Sequence, residues 1–223
     1  MQLSEFVPSK WVATAKNVSR FLDAYPVVVV CPSNERRMFC HNKRVLTFAD
    51  ILPEVLSTRN LVAKPRSLSP ADIFREILEA INPSGTVDNQ RQGYDAILSA
   101  ANVLGKFVLI LDDFDLVFEA CLDQKQLTAG FMSIMSRGFP KLVLVLIMDE
   151  DALQSIKQTY TASFRRFKEI RPEMLVLSPP EKYELLRKLY QKISDSEAES
   201  FVEDNGEKSL YEFTFEAYCR FGL

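Results

Sequence analysis

Apolar positions along the chain alternate between two rhythms. Val27–Cys31 is an unbroken, largely β-branched run, followed later by Lys106–Leu111, Leu142–Met148 and Met174–Leu177, with a weaker run at Leu61–Ala63. Such runs read as strands of a parallel sheet, the strongest of them buried on both faces. Between them the apolar residues return every three to four positions. Trp11, Val12, Ala15, Val18, Phe21 and Leu22 predict a helix over 9–24, ended by Tyr25-Pro26 because the residue before proline avoids the helical region. Ser69-Pro70-Ala71-Asp72 is a helix start, and Ile73, Phe74, Ile77, Leu78 and Ile81 form its stripe up to the stop at Asn82–Gly85. Gln90–Leu104 is a further amphipathic helix closed by Gly105. Leu116–Ser136 reads as helix with a break near Asp123–Gln126, and Asp151–Thr159 as another.

The remaining segments are less regular. Residues 32–45 are polar, with a small hairpin of Met38–Cys40 against Arg44–Leu46, and a helix over Thr47–Leu56 should be kinked or shortened by Pro53. Ser178-Pro179-Pro180-Glu181 is a capping box opening a helix whose buried face is Leu185, Leu186, Leu189, Tyr190 and Ile193. Residues 195–208 read as acidic and mobile, and Ser209–Phe221 as a final aromatic-rich helix. Strands alternating with helices imply a three-layer α/β fold around a five-stranded parallel sheet. The expected division is an α/β domain over 1–194 and a short helical segment over 195–223.

Composition narrows the classes. With 223 residues, 47% hydrophobic and 26% charged, the chain is long enough to bury a full core and ordinary for a globular protein. Its apolar runs are far below the ~20 residues that cross a bilayer, so no membrane partner is expected. No secretory leader is visible at the start. Four cysteines without a C-x-x-C pair, and one histidine, His41 beside Cys40, give no metal-ligand spacing and read as reduced thiols of an intracellular protein, nuclear or cytoplasmic. The net charge of −3 is uneven. Residues 1–75 carry eleven Lys/Arg against six Asp/Glu, and the rest of the chain is acidic. Arg36, Arg37, Lys43 and Arg44 form a basic cluster that reads either as a solvated loop or as a contact surface for nucleic acid or an acidic protein.

In open parallel sheets, functional groups gather at the carboxyl ends of strands. Those ends here carry Cys31–Arg37, Asp112-Asp113-Phe114-Asp115 and Asp149-Glu150-Asp151. With these residues in this order the chain resembles the P-loop NTPases of the AAA+ and STAND type, nearest the branch of origin-recognition initiators. Val108-Leu109-Ile110-Leu111-Asp112-Asp113 looks like a Walker B strand. The resemblance implies that Asp112 would hold Mg²⁺ through water and Asp113 would polarise an attacking water. It puts Asp149 at the sensor-1 strand and Arg165 or Arg166 at the arginine-finger position. It implies ATP and Mg²⁺ as ligands, and protein subunits of a replication-initiation or other nucleoprotein assembly as partners.

The departure from that family lies after the first strand. A phosphate cradle needs glycines that let backbone N–H groups wrap the phosphates, then Lys and Ser/Thr. This chain has Cys31-Pro32-Ser33-Asn34-Glu35-Arg36-Arg37-Met38, with no glycine before Gly85. Pro32 removes a donor, and Glu35 repels phosphate. Three readings of the acids stand side by side. They are a polar strand end capping the next helix, a relic or partner-contacting Walker B, or a working Mg²⁺ site. The last includes a metal-dependent nuclease or phosphotransferase on Asp113 and Asp115, with Glu35 as its only candidate for a further acid. The preferred reading is a non-catalytic AAA+-like assembly subunit that needs no cofactor. Its alternative is an ATPase with an atypical loop over 31–38.

Overall fold

The computed structural model describes residues 7–31, 38–41, 44–81, 93–159, 166–170 and 177–222. The chain divides into two compact units. One comprises Val18–Cys31 and Leu56–Arg171, and the other Met1–Asn17, Pro32–Val55 and Pro172–Leu223.

The first unit holds the parallel sheet. Its strands are β1 (Val27–Val30), β4 (Asn60–Ala63), β5 (Phe107–Leu111), β6 (Leu142–Ile147) and β7 (Phe167–Ile170), in the order β4-β5-β6-β1-β7, and every pairing is parallel. β1, β5 and β6 are buried at every residue, as their uninterrupted apolar runs require. The helices of this unit are α3 (Pro70–Ile81), α4 (Gly93–Leu104), α5 (Phe114–Ala120), α6 (Gln124–Gly138) and α7 (Glu150–Thr159). Their apolar stripes meet the sheet in one cluster that includes Ile73, Phe74, Ile77, Ile97, Phe114, Phe131, Ile134 and Leu153. The five-stranded parallel sheet expected from the alternation is therefore present.

One strand of the sheet was not expected from the apolar pattern. The fifth is Phe167–Ile170, whereas Leu177 is in no strand and Met174–Val176 lie outside the described residues. The reason is its place at the sheet edge. Among the described residues β7 pairs only with β1, and of its own residues only Ile170 is buried, so its polar Lys168 and Glu169 are tolerated and its apolar signal is weak.

In the other unit, β2 (Met38–His41) and β3 (Arg44–Thr47) pair antiparallel, as the expected hairpin, and α2 (Phe48–Val55) follows with Pro53 in its last turn. α1 (Ser9–Phe21) contributes its first part, where Trp11 meets the Phe48 ring edge-on at 6.0 Å. The backbone of β2 lies against α10 (Leu210–Phe221). α8 (Pro179–Leu189), α9 (Asp195–Asn205) and α10 share a core of Leu186, Ala198, Phe201, Val202, Phe213 and Ala217. Residues 195–205 are thus helical rather than mobile. The acidic composition masked a second capping box, Ser194 with Glu197, and an apolar stripe at Ala198, Phe201 and Val202. The Lys182 ammonium, buried at 4% exposure, donates at 2.6 Å to the carbonyls of both Gly206 and Lys208 and so ties α8 to the α9–α10 turn.

Three boxes open these helices: Ser178 with Glu181, Ser194 with Glu197 and Ser209 with Glu212. Burial pushes the Glu181 carboxyl up, but hydrogen bonds from Ser178 and Lys10 outweigh it and hold the group below its ordinary 4.5. The serine hydroxyl and backbone N–H bonds hold Glu197 and Glu212 below it too. A carboxyl whose folded pKa is depressed stabilises fully above its unfolded value, and that stability is lost as pH falls through the folded value. The α8–α10 helices are therefore expected to weaken as pH drops below 4.5, read as loss of far-ultraviolet helical signal. Ser194→Ala and Ser209→Ala should flatten that pH dependence, and an unchanged profile in both would contradict it.

Candidate functional site

The parallel sheet brings the carboxyl ends of β1, β4, β5 and β6 to one edge. Asp112 lies directly after β5 and is 1% exposed. Its backbone N–H donates to the Ala63 carbonyl at 3.2 Å, which continues the β4–β5 ladder by one step. Ala63 stands opposite Leu111, so the next residues, Lys64 and Asp112, face each other. The Lys64 ammonium reaches the Asp112 Oδ2 at 2.5 Å.

The segment carrying Lys64 is pinned downstream. Glu76 of α3 accepts the Arg66 N–H at 2.7 Å and the Ser67 hydroxyl at 2.5 Å. Burial raises the Glu76 carboxyl, but these bonds outweigh it and keep the group below its ordinary range. The Leu122 N–H donates to the Leu68 carbonyl at 2.8 Å, and Ser69 caps α3 through Asp72. Lys64 therefore leaves a sheet-anchored backbone and enters a fixed link.

Asp113 is the residue before α5 and adopts a left-handed backbone, φ 52° and ψ 38°, with no side-chain capping bond. This region costs about 1 kcal/mol for a residue with a Cβ, least for Asp and Asn. Asp113→Gly is accordingly expected to be about 1 kcal/mol more stable than Asp113→Ala in urea unfolding, since both lose the carboxylate and only glycine escapes the backbone cost. Equal stabilities of the two variants would contradict that cost. Asp115 falls in the first turn of α5.

Asp149, at the end of β6, caps α7. Its Oδ1 accepts the Ala152 N–H at 2.7 Å and its carbonyl the Leu153 N–H at 3.3 Å. The buried Cys31, at the end of β1, directs its Sγ to the Asp149 carbonyl at 3.8 Å and its N–H to the Ile170 carbonyl at 3.0 Å.

Arg166 lies at the other edge. It precedes β7, whose Phe167 pairs with Val27 at the beginning of β1, so roughly 13 Å of strand separates it from the edge that carries Asp112. There it lines a cavity of about 330 Å³ with Ala24, Tyr25, Pro26, Met135, Ser136 and Phe139. Glu35, Arg36, Arg37, Lys43 and Arg165 lie outside the described residues, and Arg44 is placed by its backbone at the start of β3.

The sheet edge thus gathers Asp112, Asp113 and Asp149 with Lys64, which the sequence reading missed. The residues present do not suit a divalent cation. The most buried acid already holds an ammonium, and Asp149 is engaged with the α7 N-terminus. Among the described residues no group of three His, Cys, Asp or Glu side chains could hold a metal ion.

The parallel sheet and its strand order are those of the AAA+ P-loop NTPase fold. Solved structures with this fold include a Walker-type ATPase of Pyrococcus abyssi, at 13% identity and TM-score 0.66, over 98% of this chain and 69% of that one. The Cdc6p of Pyrobaculum aerophilum is similar at 12% identity and TM-score 0.58, over 97% of this chain and 63% of that one. The ORC1 protein of Aeropyrum pernix, solved in complex with DNA, is similar at 11% identity and TM-score 0.53, over 97% and 66%. The chain thus spans about two thirds of the length of each of these proteins. No family model matches it, and no curated protein does. No helix among the described residues is long and apolar enough to cross a membrane.

Proposed function

We propose that this chain is a non-catalytic AAA+-like subunit that serves assembly rather than ATP turnover. The observation that carries the reading is the state of Asp112, which the fold would use for Mg²⁺ and which here binds Lys64. The glycine-free sequence Pro32–Arg37 supports it, since that stretch supplies neither the flexible backbone nor the Lys-Ser/Thr pair that hold phosphates. The ATPase with an atypical loop gains no support from the site, because its Mg²⁺ carboxylate, Asp112, is held by Lys64.

By likeness to initiator proteins, one of which is solved with DNA, the proposed context is a nucleoprotein assembly. Arg36, Arg37, Lys43 and Arg44 are the proposed contact surface for nucleic acid or an acidic subunit. Arg165 or Arg166 is the proposed finger toward a nucleotide held by a neighbouring subunit, and 195–223 the segment that docks or acts as a reduced lid. The test is steady-state phosphate release from Mg²⁺-ATP by the purified protein. The expected result is none above buffer. Release that disappears in Asp113→Asn would overturn the reading. For the basic surface, Arg36→Glu/Arg37→Glu is expected to weaken binding to a fluorescent DNA duplex at least about tenfold and to lower its salt dependence; equal binding would remove nucleic acid from that surface.

A further inference from the structure

We infer that the ammonium of Lys64 stands at Asp112 in the place that a divalent cation would take at this sheet edge. The inference deepens the non-catalytic reading and rests on it only in taking the Asp112 edge as free of chemistry.

A carboxylate buried to 1% exposure needs a positive partner or a proton, because burial penalises the bare charge. Here the partner is delivered by the fold. The β4–β5 register sets Lys64 opposite Asp112, and the bond from the Asp112 N–H to the Ala63 carbonyl holds the two backbones together. Glu76 and Leu122 then fix the link that follows Lys64. The ammonium approaches to 2.5 Å and occupies the Oδ2 face of the carboxylate. A hydrated Mg²⁺ or Mn²⁺ bound through one or two carboxylates would need that same face and would meet the ammonium charge.

The neighbouring acids do not replace what Lys64 takes. Asp149 accepts the Ala152 N–H, and Asp113 begins α5 on a left-handed backbone. Lys64 is therefore the cation of this edge in the native chain, a tethered monovalent charge on the Asp112 carboxylate.

The experiment titrates Mn²⁺ alone, without nucleotide, into the wild type, Lys64→Met and Lys64→Met/Asp112→Asn. Bound metal is read from loss of the free-ion electron paramagnetic resonance signal. Lys64→Met is expected to bind at least about tenfold more tightly than the wild type, and the double variant to lose the gain. Mn²⁺ should also raise the melting temperature of Lys64→Met and leave that of the wild type unchanged. Lys64→Gln, which keeps a donor but no charge, provides the same comparison should the methionine variant not fold. Equal Mn²⁺ binding by wild type and variants would overturn the inference, as would no gain in either single variant. Those outcomes leave the phosphate-release test untouched. ATP turnover by the wild type would overturn the non-catalytic reading whatever the metal titration gives.

Discussion

Truncating Phe74 to alanine is expected to destabilise the protein by about 3–5 kcal/mol, the range for removing a buried phenylalanine ring. Phe74 of α3 is buried and packs against Tyr94 at 6.0 Å and Phe131 at 5.1 Å, and Phe131 in turn meets Phe114 edge-on at 5.1 Å. Phe114 is the first residue of α5, so this aromatic series reaches the turn that carries Asp112 and Asp113. Two glycines make room for it. A Cβ on Gly93 would come within 2.5 Å of the Phe74 Cβ, and one on Gly130 within 2.4 Å of its Cζ. Gly130→Val should therefore cost about 3 kcal/mol by overpacking, and Phe74→Leu in the same chain should return part of the loss. Urea unfolding followed by circular dichroism measures both. Strict additivity of the two substitutions would contradict this packing.

Removing the charge of Lys64 has the second large effect. Breaking a fully buried pair by deleting one partner costs about 3–5 kcal/mol. Lys64 keeps 37% of its side chain exposed, so solvent screens part of the loss and about 2–3 kcal/mol is expected for Lys64→Met. The sign of the coupling is the sharper test. Lys64→Met/Asp112→Asn removes the stranded charge and should be more stable than Lys64→Met alone. A double variant as unstable as the sum of its parts would show that the pair contributes packing rather than charge compensation.

Much of this architecture was legible before any coordinates. Val27–Val30, Phe107–Leu111 and Leu142–Ile147 are buried on both faces, and a strand in that position leaves an unbroken apolar run. Ser69-Pro70 and Ser178-Pro179 mark helix starts because a serine cap and a proline in the first turn both suit unsatisfied N–H groups. The edge strand Phe167–Ile170 escaped because an edge needs fewer apolar residues; of the expected strand Met174–Leu177, only Leu177 is among the described residues. Helix α9 escaped because its acidic surface outweighed its Ser194–Glu197 box.

The acids of the candidate site were legible for the same reason as the central strands, since they end them. Their partner was not. Lys64 follows a four-residue strand far from Asp112 in sequence, and only the adjacency of β4 and β5 and their register bring the two together. A signal existed in hindsight: a lysine one residue beyond the strand that neighbours the Walker B-like strand. It becomes readable only once the strand order is known. The Asp149 cap was likewise hidden, because an acid before a helix serves a cap and a sensor position equally well in sequence.

The proposal to test is that this chain has the AAA+ fold while Lys64 occupies the carboxylate, Asp112, that the fold would use for Mg²⁺. The most direct measurement is a thermal-shift titration of the wild type with ATP and ADP, with and without Mg²⁺, repeated on Asp112→Ala. A ligand that binds only the folded state adds RT ln(1 + [L]/Kd), about 2.7 kcal/mol at a hundredfold excess over Kd. The account predicts no nucleotide-dependent shift for the wild type at millimolar ligand. A shift that grows with ATP and Mg²⁺ and vanishes in Asp112→Ala would contradict it, and would make residues 31–38 a phosphate loop without glycine.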